Sequence, residues 1–288
     1  MRRRFAGTVP PAAVPGPDGA AAADTGRPGI LDWYTKDPPS PANAVGIFAG
    51  EWASRFPPPL QDVPAGPAPL FEDPRISWCI EQLGGVSGKV VLELGPLEGG
   101  HSYMLETAGA ASVLSIESNA RSFLKCLVAK ELLGMTRTSY VFGDFIPFLR
   151  TAGQRFDLSV ASGVIYHLLD PVPVIADLCA ATDDAILVWT QYYADDVIAT
   201  RPDLHRKFGE RRTATHEGHD YDLVEYRYLD ALQHAGFCGG SAPTSSWLTR
   251  DGLFDAFRRH GFGTIEVMED DREHVHGPAI TLLARRGG

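Results

Sequence analysis

Paired cysteines are missing from this sequence. Its four, Cys79, Cys126, Cys179 and Cys238, are widely spaced and form no CxxC pair, which argues for reduced thiols and against a disulfide scaffold. Long apolar runs are missing too, and no window approaches the ~18 residues that a membrane-spanning helix needs. Positive charge is scarce: 26 Lys and Arg against 36 Asp and Glu leave a formal charge of −10. General affinity for a nucleic-acid backbone needs clustered Lys and Arg, and the most basic stretch, Arg201 to Arg212, is interrupted by acids. The chain opens with MRRR, but the segment after it is broken by prolines and lacks the apolar centre of an export signal. The expectation is a cytoplasmic protein without a membrane partner and without nucleic acid as its ordinary partner.

What is present suits a globular enzyme, with 44% apolar and 22% charged residues in a chain of 288. Residues 1–43, rich in Ala, Pro and Gly, read as a disordered tail. Residues 44–85 read as N-terminal helical segments. In AVGIFAGEWASRFP, over 44–57, Ile47, Phe48, Trp52 and Phe56 have near-helical spacing, and in DPRISWCIEQLGG, over 73–85, Ile76, Cys79, Ile80 and Leu83 share a face. Whether 44–57 packs on the core, closes over a pocket or joins a homodimer stays open.

Residues 86–193 alternate strand and helix: KVVLELG, GHSYMLETAG, SVLSIES, NARSFLKCLVAKELLG, SYVFGD, FDLSVASG, PVPVIADLCAAT and AILVWTQYY. Asn119 reads as a helix cap and Gly134 as a helix end. Continuously apolar strands alternating with helices indicate an α/β, Rossmann-like, mostly parallel sheet with helices on both faces. Residues 194–244 are polar and His-rich and read as a cap insertion for substrate. Residues 245–288 read as a helix, SWLTRDGLFDAFRRHGF, and two strands forming a C-terminal antiparallel hairpin, seven strands in all.

Ligands of such a sheet sit at the carboxyl ends of its strands. There the first strand runs into Glu93-Leu94-Gly95-Pro96-Leu97-Glu98-Gly99. Glycine permits close backbone approach, yet a glycine turn alone fits many nucleotide folds. Glu93 discriminates. A carboxylate at the mouth of the turn repels a pyrophosphate and suits a cationic sulfonium, which disfavours an NAD-linked oxidoreductase.

These motifs resemble the class I S-adenosylmethionine (SAM)-dependent methyltransferases over Lys89 to Tyr193 and again over Trp247 to Arg285. The family pattern is acid-x-Gly-x-Gly-x-Gly, and Leu97 replaces its middle glycine. The resemblance implies SAM as cofactor, held by Glu93, Gly95 and Gly99 around the turn; His101, which opens the next helix, is a further cofactor candidate at the methionine tail, with contact to the acceptor or a structural placement as its other readings. The resemblance further implies Glu117 and Ser118 at the ribose, Asp144 and Phe145 at the adenine, and Ser162 at the end of the fourth strand. Each acid also has a plainer reading: Glu93 as a structural acid of the Gly99 helix, Glu117 as a solvated strand end, Asp144 as a helix cap.

Methyl transfer is chiefly alignment, with a base needed only where the acceptor must lose a proton. The stretch ASGVIYHLLDP, over 161–171, resembles a fourth motif found in small-molecule methyltransferases and in tRNA wobble-uridine modifiers. It makes Tyr166 and His167 the catalytic candidates, His167 as general base or as a packed residue. Gln191 and Tyr192 after strand five, and His216, His219 and Tyr221 in the cap, are the substrate-binding candidates. No metal is expected. Asp195 and Asp196 lack the acid that magnesium clamps add at strand four, and His216 with His219 lack third and fourth zinc ligands. The HVH of 274–276 reads as a hairpin turn far from the cofactor. The expected activity is methylation of a small-molecule acceptor at oxygen or nitrogen, with a tRNA-modifying methyltransferase or a non-catalytic SAM-binding module as alternatives.

Overall fold

The computed structural model describes residues 30–151, 153–234 and 236–287. The chain divides into two compact units at Pro38/Pro39. In the first, a 3-10 turn spans Ile30–Trp33; residues 1–29 of the expected tail lie outside the described residues.

The second unit begins with helix α1 (Pro41–Gly46), where the Ser40 hydroxyl accepts from the Asn43 N–H. The helix expected over 44–57 is therefore displaced. It starts inside the stretch read as tail and ends at Gly46, before Gly50 turns the chain at φ +77°. The apolar residues of that stretch are still buried: Val45, Phe48, Trp52 and Phe56 pack with Phe71 and Ala129, while Ile47 stays exposed. The segment packs on the core, and its Ser54 also lies on the wall of the cavity described below. Helix α2 (Pro74–Gln82) follows, capped by Asp73 and started by proline at its first position.

The core alternates β1 (Val90–Leu94), α3 (Gly100–Thr107), β2 (Ser112–Glu117), α4 (Ala120–Leu132), β3 (Thr138–Phe142), α5 (Phe145–Thr151), β4 (Phe156–Ser162), α6 (Pro171–Ala181) and β5 (Thr182–Gln191). After the second sheet come α9 (Arg250–Arg259), β9 (Thr264–Asp271) and β10 (Ala279–Arg285). The seven-stranded sheet has the order β3-β2-β1-β4-β5-β10-β9. Strands β1 to β5 pair in parallel, and the antiparallel β9–β10 hairpin closes one edge through β5.

Side-chain alternation explains why these strands are apolar throughout. Leu92, Ile186, Val188, Ile280 and Leu282 join one core with Val172, Ile175 and Phe257 from α6 and α9. The intervening Val91, Ala185, Leu187 and Leu283 join another with Ile76, Cys79 and Leu105 from α2 and α3. Both faces are covered, so neither can be polar.

The cap departs from its irregular reading. After the short helices α7 (Asp195–Ala199) and α8 (Pro202–His205) it forms an antiparallel sheet of β6 (Phe208–His216), β7 (His219–Arg227) and β8 (Thr244–Leu248), in that order. Strand β8 occupies residues expected to open a helix. The helix starts only after Thr249, whose hydroxyl accepts from the Gly252 N–H. The second sheet docks on the loop after β4, where Leu168 O accepts from the Ser246 N–H at 2.8 Å and Leu169 O from the Ser246 hydroxyl at 2.8 Å.

Candidate functional site

A cavity of about 910 Å³ opens at the carboxyl ends of β1, β2, β4 and β5. Of the expected cofactor residues, Gly95, His101, Glu117, Ser118, Asp144, Phe145 and Ser162 lie on its wall, as do Tyr166 and His167. The turn after β1 is left-handed at Gly95 (φ +63°), Leu97 (φ +56°) and Gly99 (φ +84°). Leu97 thus takes a glycine's conformation without being one. Gly99 is off the wall and serves packing: a Cβ there would lie 2.3 Å from the Tyr140 hydroxyl.

Glu93 is not on the wall either. It is 1% exposed and is consumed from behind: Oε2 accepts from the Ser102 hydroxyl and, at 3.1 Å, from that of Ser115. Its Oε1 lies 3.5 Å from His101 Nδ1. On the other side of the ring, His101 Nε2 donates to Asp73 Oδ2 at 2.9 Å. Burial disfavours charge on His101, but bonds to Asp73 and Glu93 outweigh it and raise its pKa to about 9. Asp73 also accepts from the Arg75 guanidinium, and the two cations hold its carboxyl far below the usual range despite burial. Charges therefore alternate from Glu93 through His101 and Asp73 to Arg75. The series ends on the cavity wall, with the guanidinium 5.0 Å from the Trp189 ring centroid.

Glu117, at the end of β2, accepts from the Leu97 N–H at 3.2 Å and the Asn119 N–H at 2.8 Å; burial raises its pKa. Asp144 accepts from the Ile146 N–H at 2.8 Å, the bond of a helix cap, while also lining the cavity.

Across the cavity, His167 Nδ1 is 2.7 Å from the Tyr228 hydroxyl. Burial alone lowers its pKa to about 4, and burial pushes Tyr228 up to about 12. Tyr166 packs edge-on to Trp189 and Trp247, and burial pushes its phenol well above the usual range.

The expected substrate residues do not come to this wall. Tyr192 is buried and donates to Asp270 Oδ1 at 2.6 Å, and Gln191 is buried beside it; Trp189 lines the cavity in their place. His216, His219 and Tyr221 belong to the β6–β7 hairpin end, and β7 is nine residues long, about 27 Å at the usual rise. The cap reaches the cavity at its other end, through Cys238, Gly240, Ser241 and Ala242. His219 instead pairs with Asp255 at 2.8 Å. Asp195 and Asp196 pair with Arg211 and Arg272. The turn carrying His274 is not remote: antiparallel β10 starts opposite Gln191, which brings the His274 ring to 5.9 Å from Trp189.

Sequence reasoning missed Arg75, Asp73 and Trp189. Asp73 carried a signal as the cap before Pro74, but nothing local tied it to His101, 28 residues away.

No protein-family model and no curated protein matches the sequence. Solved structures do. The N-terminal domain of EvdMO1, determined in the presence of SAH and D-fucose, superposes with a TM-score of 0.63 at 20% identity, covering 85% of this chain and 95% of that one. Magnesium protoporphyrin IX methyltransferase (ChlM) from Synechocystis PCC 6803, with bound SAH, gives 0.50 at 14% identity over 75% and 81%. An S-adenosylmethionine-dependent methyltransferase from Mesorhizobium loti gives 0.50 at 15% over 75% and 100%. By these likenesses the chain carries the class I SAM-dependent methyltransferase fold.

Proposed function

We propose that the protein binds SAM in this cavity and transfers its methyl group to an oxygen or nitrogen of a small-molecule acceptor. The supporting observation is the cavity's two-sided wall. The glycine turn, Glu117, Asp144 and Phe145 stand on one side, and Tyr166, His167 and Trp189 on the other. Its volume is near the top of the range of about 300–1,000 Å³ for ligand pockets, which suits a cofactor together with an acceptor.

The wall residues fit such a cofactor. Glu117 keeps acceptor capacity for a ribose diol after taking two backbone N–H groups. The Arg75 guanidinium on the cavity wall suits the carboxylate of the methionyl tail, while His101, whose two ring nitrogens face Asp73 and Glu93, adds its charge rather than a hydrogen bond. Glu93 acts through His101, holding its charge and orientation. Phe145 and Asp144 suit the adenine.

Bound there, SAM would supply a sulfonium-activated methyl group for transfer to an acceptor lone pair, with the thioether as leaving group. The chain's part is alignment and exclusion of water. With His167 Nδ1–H donating to Tyr228, the lone pair on Nε2 takes the acceptor's proton. A base with a pKa of about 4 is free at every pH above about 5, and it suits an acceptor that turns acidic only as the new bond forms.

Calorimetric titration with S-adenosylhomocysteine, with NAD in parallel and Glu117→Ala as control, tests the reading. The expected result is binding of the first alone, weakened about 10- to 100-fold in the variant, the cost of one lost charged hydrogen-bond partner. Binding of NAD alone overturns it. Deoxysugar hydroxyls lead the acceptor panel, because the EvdMO1 domain was determined with D-fucose present.

A further inference from the structure

Two buried histidine nitrogens away from the cavity have no hydrogen-bond partner: His216 Nε2 and His260 Nε2. They come from separate elements. His216 ends β6, and His260 caps the carboxyl end of α9. Their ring centroids are 5.6 Å apart. His260 Nδ1 lies 2.6 Å from Ala256 O, a contact only an N–H can make favourably. In the neutral ring this leaves the Nε2 lone pair available, the arrangement by which a backbone carbonyl orients a metal-binding imidazole.

Glu217, the residue after His216, sits at φ +48° in the β6–β7 turn. Its Oε2 lies 3.6 Å from His260 Nε2. One ligand atom from each of His216, Glu217 and His260 falls within 4.8 Å of the other two. A tetrahedral ion bonded at about 2.1 Å holds its ligands about 3.4 Å apart. The Glu217–His260 separation is already close to that spacing, and the Glu217 side chain, 73% exposed, is free to adjust. The carboxyl end of a helix also favours a cation.

We propose that His216 Nε2, His260 Nε2 and the Glu217 carboxylate bind a divalent transition-metal ion of the zinc class, with water completing the shell. Two imidazoles and one carboxylate suit zinc, cobalt or nickel rather than magnesium or calcium. The ion pins the β6–β7 turn, and through it the second sheet, to α9 of the core. His219 has no part in the set, because it pairs with Asp255. None of the three ligands lines the cavity, so the site does not depend on the proposed methyl transfer.

The test uses the tag-free full chain, stripped with chelator and titrated with cobalt(II). Expected are visible d–d bands of a low-coordinate nitrogen–oxygen site, saturating at one ion per chain and abolished by competing zinc. Zinc also raises the thermal midpoint by about 4 °C at saturation, the size expected when a ligand binds the folded state alone. His216→Ala and His260→Ala remove both effects. Glu217→Gln, on the exposed turn, weakens cobalt affinity about 10-fold or more, and it decides the matter with His216→Ala should the α9 cap variant fail to fold. Binding of S-adenosylhomocysteine is unchanged in each folded variant. Absence of both the bands and the thermal shift in the native chain overturns the proposal, as does cobalt binding that survives His216→Ala and Glu217→Gln.

Discussion

His101 and His167 line one cavity and are held in opposite charge states. His101 is flanked by two carboxylates and keeps its proton to a pKa of about 9. His167 has a phenol for a neighbour, and burial drives its pKa to about 4. Burial acts against charge in both, so the sign is decided by what else shares the site. One side is an ion network suited to a charged ligand tail. The other is a largely aromatic surface of Tyr166, Trp189 and Tyr228, where burial keeps the imidazole neutral.

The comparison breaks most severely at Asp73, which lies between two cations. Asp73→Ala leaves His101 and Arg75 buried or half-buried without their shared carboxylate. Removing one partner of such a network costs about 3–5 kcal/mol; urea unfolding at pH 7 measures it. A loss below about 1 kcal/mol would mean that the network does not organise this side.

Acid and alkali test the two histidines separately. His101 has a folded pKa raised from 6.5 to about 9, so its stabilisation is complete below pH 6.5 and is lost as pH rises through 9. His167 has a folded pKa lowered from 6.5 to about 4. The stability associated with its neutral form is complete above pH 6.5 and is lost as pH falls through 4. Their two contributions together peak near pH 6.5, each limb spanning about 3 kcal/mol. His101→Gln flattens the alkaline limb and His167→Gln the acid one, as read by urea midpoints across pH. Should either variant flatten the wrong limb, the charge assignments are reversed.

Smaller again is the effect on turnover. His167→Ala leaves S-adenosylhomocysteine affinity in place and lowers kcat about 10²-fold if Nε2 takes the acceptor proton. Full kcat in the variant assigns His167 to packing.

Most of the sheet was legible because it is written in short-range signals. Strands buried on both faces read as apolar runs, and Asn119 caps α4 with bonds to Arg121 and Ser122 N–H at 2.9 and 3.1 Å. Glu117, Asp144 and His167 follow directly from strand ends, so order in the chain predicts place in the fold. The cap was not legible in this way. Which end of the β6–β7 hairpin meets the cavity depends on how β8 docks against Leu168 and Leu169, a contact between segments 77 or more residues apart. Glu93 was legible in position and not in role, because the ring that intervenes between it and the cavity is held by Asp73 from another helix.

The smallest predicted effect concerns the one departure of the glycine turn from its pattern. Leu97 holds φ +56°, which for a residue with a Cβ costs roughly 1–2 kcal/mol. Its N–H donates to Glu117 and the residue lies on the cavity wall, so the conformation is tied to the same carboxylate that faces the proposed ribose. Leu97→Gly relieves the strain but adds about 0.5–1 kcal/mol of backbone entropy to the unfolded chain and gives up a half-buried side chain. Its net stability therefore stays within about 1 kcal/mol of the native protein. Leu97→Ala gives up the same side chain and keeps the strain. It should be the less stable of the two, reversing the usual order of alanine over glycine at ordinary backbone positions. Thermal unfolding of the pair reads this inversion directly, and an alanine variant more stable than the glycine one would show that the turn relaxes out of the left-handed region.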